Sequence, residues 1–205
     1  AWMDGASIKK FSDYKQTVEK IESNPAYFNE KFNAYKKNGG NLVISELFKK
    51  DPGFNGNGEE LNGGFFNDSD WKKIKVPGYW EDYGVKGYDG SMWFKKEFVL
   101  PDAFEGKDLL INLGWIDDYD FTFLNGKRIG STTYKGSERK YSIPKELLKG
   151  GINEILICVY DKSWNGGFWG PRKSNIRIKD DETLLNIDLQ GIWKYKKGIS
   201  NNNFL

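Results

Sequence analysis

Two hydrophobic periods divide this chain. Between residues 6 and 50, Ile8, Phe11, Val18 and Ile21 recur at roughly helical spacing. Asn24-Pro25 reads as an N-cap followed by proline at the first helical position. Phe28, Phe32 and Tyr35 form a second stripe, closed by Gly39-Gly40, and a third short helix is predicted over Leu42 to Lys49. From Trp71 onward the period shortens to two. Strands are predicted at Trp71 to Val76 and Ser91 to Leu100, then wherever apolar positions alternate: Leu109-Ile111-Leu113, Phe121-Phe123, Ile176-Ile178 and Leu185-Ile187-Leu189. Glu154 to Tyr160 is almost continuously apolar, which predicts a strand buried on both faces. Asn125-Gly126 is a two-residue hairpin signal and is read as a turn and nothing more. Short, evenly spaced strands predict a β-sandwich, and the helices before them an α lead-in.

The polar, glycine-rich run 51–64 (DPGFNGNGEELNGG) separates these halves and is predicted as a linker or long loop. Its glycines form no phosphate-binding pattern. The stretch from Trp71 to Pro101 organises the β half. Two strands flank a loop punctuated by Pro77-Gly78, in which Tyr79, Trp80, Tyr83 and Tyr88 accompany Glu81, Asp82 and Asp89. Rings stack on apolar pyranose faces and carboxylates accept from hydroxyls, so this composition suits a sugar site; it suits a well-packed loop base equally.

Composition narrows the classes. Only 38% of residues are hydrophobic, and the 16% that are aromatic make up the difference because each ring buries a large area. The net charge of +2 gives no global field for nucleic acid or an acidic membrane, and the scattered Lys-Lys pairs read as a solvated surface. The single cysteine, Cys158, can form no internal disulfide and sits in an apolar run, where it acts as a small hydrophobe. The chain has no histidine, which excludes Ser-His and Cys-His catalysis within it and the usual histidine-bearing zinc sites. No signal peptide or membrane span is visible.

Five blocks carry a resemblance: VPGYWED (from Val76), YDGSMWFKKEFVLP (from Tyr88), LGWIDDYDFTFLNGKRIG (from Leu113), YSIPKELLKGGINEILICVYD (from Tyr141) and GGFWGP (from Gly166). Together they resemble the sugar-binding jelly-roll domain of family 2 glycoside hydrolases. More narrowly, they resemble the jelly-roll domain inserted into bacterial sialate O-acetylesterases, where it splits an ester hydrolase domain of the Gly-Asp-Ser type. The resemblance covers roughly Trp71 to Tyr195. It implies a mainly β, galactose-binding-like jelly-roll sandwich over 65–196, with a helical lead-in over 1–50, a linker at 51–64 and a tail at 197–205 leading towards a missing esterase half. In family 2 hydrolases a Leu-x-Gly-x-Trp-x-Phe/Tyr strand opens the jelly roll. Its equivalent here, Leu189 to Tyr195, comes last, so the final strand (185–195) reads as circularly permuted. The family's serine and Asp-x-x-His blocks are absent, so the chain carries no catalytic residue. The expected function is that of a non-catalytic domain, a fragment, of an esterase that removes O-acetyl groups from sialic acids. The alternative is a stand-alone carbohydrate-binding module or the front domain of a family 2 glycoside hydrolase. The resemblance also implies a secreted or periplasmic parent, whose partners are its own esterase domain and carbohydrate (sialoglycan), with neither nucleic acid nor membrane, and no cofactor.

The candidate residues for carbohydrate binding or a domain interface are Tyr79, Trp80, Tyr88, Asp89, Trp164, Asn165, Phe168 and Trp169. The loop WNGGFWGP (Trp164 to Pro171) sets three rings among glycines and reads either as a stacking platform or wall beside the parent's active site, or as a lid over one end of the sandwich or an interface against the esterase domain. Trp71, Trp93 and Trp115 are expected to be mostly buried. Asp117, Asp118 and Asp120 raise a calcium reading, which is set aside for a turn whose carboxylates accept backbone donors; no metal site is predicted. Glu81 with Asp82 or Asp89 is weighed as a glycosidase pair, although one loop does not fix a carboxylate separation.

Overall fold

The computed structural model describes residues 42–56, 58, 60–169, 177–179 and 186–201, with isolated positions between 15 and 33. The chain forms two compact units, 1–46 and 47–205. In the first, every described position from 15 to 33 is helical except Asn24, which directly precedes the helical Pro25, as an N-cap should. The stripe residues Ile8, Phe11, Ile21, Phe28, Phe32 and Tyr35 lie outside the described residues. The helix predicted from Leu42 is α1, Leu42–Lys50, with Lys49 and Lys50 in its last turn where the helix dipole favours cations.

The second unit is a jelly-roll β-sandwich. Its strands are β1 (Lys72–Val76), β2 (Gly78–Tyr79), β3 (Gly90–Leu100), β4 (Leu109–Asp117), β5 (Tyr119–Leu124), β6 (Lys127–Thr132), β7 (Glu138–Ile143), β8 (Gly151–Asp161), β9 (Gly167–Trp169), β10 (Arg177–Lys179), β11 (Asn186–Asp188) and β12 (Gly191–Ser200). One sheet runs β1-β12-β3-β8-β5-β6. The other runs β11-β10-β4-β9-β2, and β7 pairs with the remaining edge of β4. All pairings are antiparallel. The last long strand of the chain, β12, pairs with β1 on one side and β3 on the other.

The longest ladder joins β3 to β8 from Gly90↔Asp161 to Leu100↔Gly151. Alternation sorts its side chains. Met92, Phe94, Phe98 and Leu100 point inward with Ile155, Ile157 and Val159, and meet Ile111, Leu113, Ile116, Phe168 and Ile178 of the facing sheet. The other face would carry Trp93, Leu156 and Cys158 into water, yet all three are buried.

The cover comes from the run 51–64 and its flanks, which here form a long loop packed on the sheet rather than a linker. Phe54 packs on Trp93 with centroids 4.9 Å apart, Phe66 on Trp93 at 4.8 Å, and Phe48 on Phe121 at 5.0 Å. Asp51 locks the cover down. Its Oδ1 accepts from Gly53 N at 2.8 Å and Trp93 Nε1 at 2.9 Å, while its Oδ2 accepts from Ser91 Oγ and from Ile199 N at 3.3 Å. The polar sequence misleads because one carboxylate and a few rings do the attaching. The tail expected at 197–205 is likewise structural as far as it is described: β12 continues to Ser200, and Ile199 is buried.

Trp93 is fully buried and Trp71 and Trp115 are mostly so, as expected. Trp71 lies under Lys95, with Nζ 4.9 Å from the ring centroid. One further expectation changes. Asn125 does more than turn a hairpin. It holds φ 48° beside Gly126 at 82°, which suits a type I′ turn, and its side chain also reaches β8. Asn125 Nδ2 donates to Leu147 O and Asn153 Oδ1, and Asn125 Oδ1 accepts from Glu154 N.

Candidate functional site

The short pair β2–β9 brings the two aromatic segments together. Tyr79 pairs with Gly167 and Gly78 with Phe168, while across β9 Gly167 pairs with Asp117, Phe168 with Ile116, and Trp169 with Trp115. Residues in register share a face. Phe168 and Ile116 point into the core. Tyr79, Gly167, Trp169, Trp115 and Asp117 therefore occupy the opposite, outward face. Gly167 contributes no side chain between Tyr79 and Asp117; its φ of +126° is one that other residues rarely adopt, and a Cβ there would stand 2.7 Å from Gly78 O. Gly166 is constrained too, because a Cβ would lie 1.9 Å from the Trp80 ring. Trp80 N donates to Gly166 O at 3.0 Å, and Gly166 N donates to Glu81 Oε2 at 3.2 Å.

On this face lies a groove of about 760 Å³, lined by Lys75, Pro77, Gly78, Tyr79, Asp82, Tyr83, Phe168, Trp169 and Gln190. The Tyr83 ring comes close to Gly78 and remains 42% exposed. Rings, one carboxylate, one ammonium and one amide are the groups that hold a sugar: faces for stacking, acceptors and donors for hydroxyls. Tyr79 keeps its proton well into the alkaline range, because burial raises its pKa and the Asp117, Asp82 and Glu81 carboxylates add to the effect. It is thus a phenol donor at neutral pH. Glu81 is committed to Gly166 N, so the glycosidase pairing weighed from sequence gives way to a carboxylate that secures a loop.

The eight candidates divide. Tyr79 and Trp169 share the groove. Trp80, Tyr88 and Phe168 are core residues, and of the three only Phe168 also borders the groove. Trp80 packs near Tyr88 and Phe94, and Phe168 packs edge-on against Phe94 at 5.1 Å. The Tyr88 hydroxyl donates to Ser91 O at 2.7 Å, and burial pushes its pKa up. Asp89 is partly buried, and its carbonyl accepts from Asn201 N. Trp164 is 88% exposed and Asn165 is exposed, both outside the groove lining. Gly170 and Pro171 lie outside the described residues. Lys75 and Gln190 line the groove without having been singled out. Strand alternation would have placed Lys75 outward, but nothing local marks Gln190, which arrives from the far end of the chain.

The acidic run also divides. Asp120 is fully buried and accepts from Arg139 Nε at 2.9 Å, Thr122 Oγ1 at 2.9 Å and the Tyr141 hydroxyl at 2.8 Å. Asp118 behaves as a turn residue, its Oδ2 accepting from Lys162 N at 3.0 Å. Asp117 and Asp118 converge with Asp161, which was not among the candidates. Burial, with the neighbouring carboxylates adding to it, pushes Asp161 up to about 8 and Asp117 to about 6. Cys158 is inert: burial pushes its thiol well above the usual range.

No protein-family model matches this chain, and no curated protein matches it. Solved structures do. β-Glucuronidase 2 of Bacteroides uniformis is 19% identical over 63% of this chain and 15% of its own, with a TM-score of 0.45. A family 2 glycosyl hydrolase of Bacteroides cellulosilyticus is 19% identical over 60% of this chain and 19% of its own, with a TM-score of 0.46. The β-D-mannosidase of Dictyoglomus thermophilum is 23% identical over 46% and 14%, with a TM-score of 0.38. This chain thus spans between 14% and 19% of the length of these three glycoside hydrolases.

Proposed function

We propose that this chain is a non-catalytic β-sandwich module of a larger carbohydrate-active hydrolase, and that the groove beside Gly167 receives a pyranose ring. The observation that carries this reading is the register that turns Tyr79, Trp115 and Trp169 onto one outward face, beside a groove that Tyr83, Asp82 and Lys75 complete. The module would position a glycan for a catalytic domain elsewhere in the parent, as the front domain of a family 2 glycoside hydrolase.

A second parent has its own support. Leu189 to Tyr195, the motif that opens the family 2 jelly roll, comes last here yet sits between β1 and β3. An inserted domain needs its two ends close together, and a strand supplied from the C-terminal side suits the insertion in a sialate O-acetylesterase-like enzyme.

Titration of the chain with galactose, mannose, glucuronic acid and N-acetylneuraminic acid, followed by NMR, tests the reading. At least one sugar is expected to perturb the groove resonances with an affinity no weaker than about 1 mM, roughly 4 kcal/mol. Tyr83→Ala should abolish that perturbation and leave the melting temperature unchanged, because the ring is 42% exposed. Silence from every sugar would overturn the binding role. The chain has no histidine to activate a serine, so it should leave an acetyl ester at the uncatalysed rate.

A further inference from the structure

The sandwich brings three carboxylates to one point. Asp117 ends β4, Asp118 turns the chain into β5, and Asp161 ends β8. Strand pairing gathers them: Tyr119 is in register with Tyr160, and Asp118 N donates to Tyr160 O at 3.0 Å. One oxygen from each carboxylate lies within 4.8 Å of the other two.

A second observation concerns donors. Asp161 has no exposed surface, and its Oδ1 accepts from Ser163 N at 3.2 Å, but its Oδ2 has no hydrogen-bond partner. The other two deeply buried aspartates among the described residues are treated differently. Both oxygens of Asp51 receive donors, and Asp120 receives a guanidinium and two hydroxyls. Asp161 instead keeps one carboxylate oxygen without a donor, in a cluster with two more carboxylates. Asp117 Oδ1 is likewise buried without a hydrogen bond and has only a long ion pair, 3.9 Å, to Lys135 Nζ on an exposed side chain. A buried carboxylate oxygen without a donor costs several kcal/mol unless a positive charge or a proton meets it.

We propose that Asp117, Asp118 and Asp161 bind a single divalent hard cation, calcium by its chemistry. Calcium takes oxygen ligands at about 2.3–2.6 Å, so one ion reaches oxygens up to about 5 Å apart, and its flexible shell accepts water at the remaining positions. The set is all oxygen, which disfavours zinc and copper. The ion anchors the loop 162–166, since Lys162 N already donates to Asp118 and Ser163 N to Asp161. It also fixes Asp117, which flanks Gly167 opposite Tyr79 and so steadies one wall of the groove. The inference does not depend on the sugar reading.

The test is calorimetry and thermal unfolding of the whole chain after dialysis against a chelator, with calcium chloride and magnesium chloride as probes. Calcium at a hundredfold excess over its dissociation constant should raise the melting temperature by about 5–10 °C. Magnesium should do less, because it demands tight octahedral geometry. Asp161→Asn retains an acceptor for Ser163 N and removes one carboxylate from the cluster. It should melt no lower than the native chain in chelator and lose the calcium response. Asp117→Asn, at a partly exposed position, should weaken calcium binding at least tenfold. An unchanged melting temperature at about 10 mM calcium, or an equal response from the native chain and Asp161→Asn, would overturn the site.

Discussion

Single side chains decide how this sandwich is closed. Asp51 receives donors from Gly53, Ser91, Trp93 and Ile199 and so ties a polar loop to β3 and β12. Asp51→Ala would strand the Trp93 indole N–H and at least one backbone N–H. The expected cost is about 3 kcal/mol, read as a lower urea midpoint with an unchanged m-value. Arg139 is a second such residue. It pairs with Asp120, and its Nη atoms donate to the carbonyls of Tyr134, Lys135, Ser137 and Asp118. Arg139→Ala leaves a buried carboxylate without its cation and should cost about 3–5 kcal/mol. Arg139→Lys should recover little of this, because an ammonium cannot reproduce the planar fork that reaches both Asp120 and the carbonyls.

At the scale of elements, the pair β2–β9 is short in hydrogen bonds and rich in constraint. Its geometry depends on two glycines that keep other atoms' space clear: the Trp80 ring at Gly166 and the Gly78 carbonyl at Gly167. Gly166→Ala should therefore displace the Trp80 ring or the β9 backbone, costing about 1–3 kcal/mol and closing the groove to sugar. Gly56→Ala is the control, since a Cβ there meets nothing within 4 Å and stability should hold. Comparing the two melting temperatures checks the argument; equal values would mean that the Trp80 contact is easily relaxed. The partly exposed rings of Trp115 and Trp169 follow from the adjoining pair β4–β9, whose register sends Ile116 and Phe168 inward instead.

For the molecule as a whole, the order of strands in space differs most from their order in sequence. β12 fills the position between β1 and β3, and Trp193 carries the core contact there, its Nε1 donating to Leu189 O at 2.7 Å. A chain ending at Asp188 would leave β1 unpaired and open the edge of β3. It should fail to show a cooperative unfolding transition by circular dichroism. A cooperative melt in the shorter chain would show that β3 and β8 hold the sandwich alone.

The sequence by itself determined most of the long strands, because alternation is a local record of which face each residue must bury; the short β2 and β9 lay in segments it read as loops. It also determined the Asn125-Gly126 hairpin, the inert Cys158 and the absence of a histidine-based nucleophile, each a matter of residue type or of nearest neighbours. Tertiary structure alone decided which aromatic residues form the core and which the site. Tyr79 and Trp80 are adjacent in sequence and alike in chemistry, yet register with β9 leaves one in the groove and seals the other inside. It alone converted the polar run at 51–64 into the lid over Trp93, through one carboxylate whose partners lie as far away as Ile199. It alone set Asp161 beside Asp117 and Asp118 and sent Asp120 to Arg139 instead. A composition pattern records local burial, whereas a site is a meeting of segments, and only strand pairing across long separations fixes which segments meet.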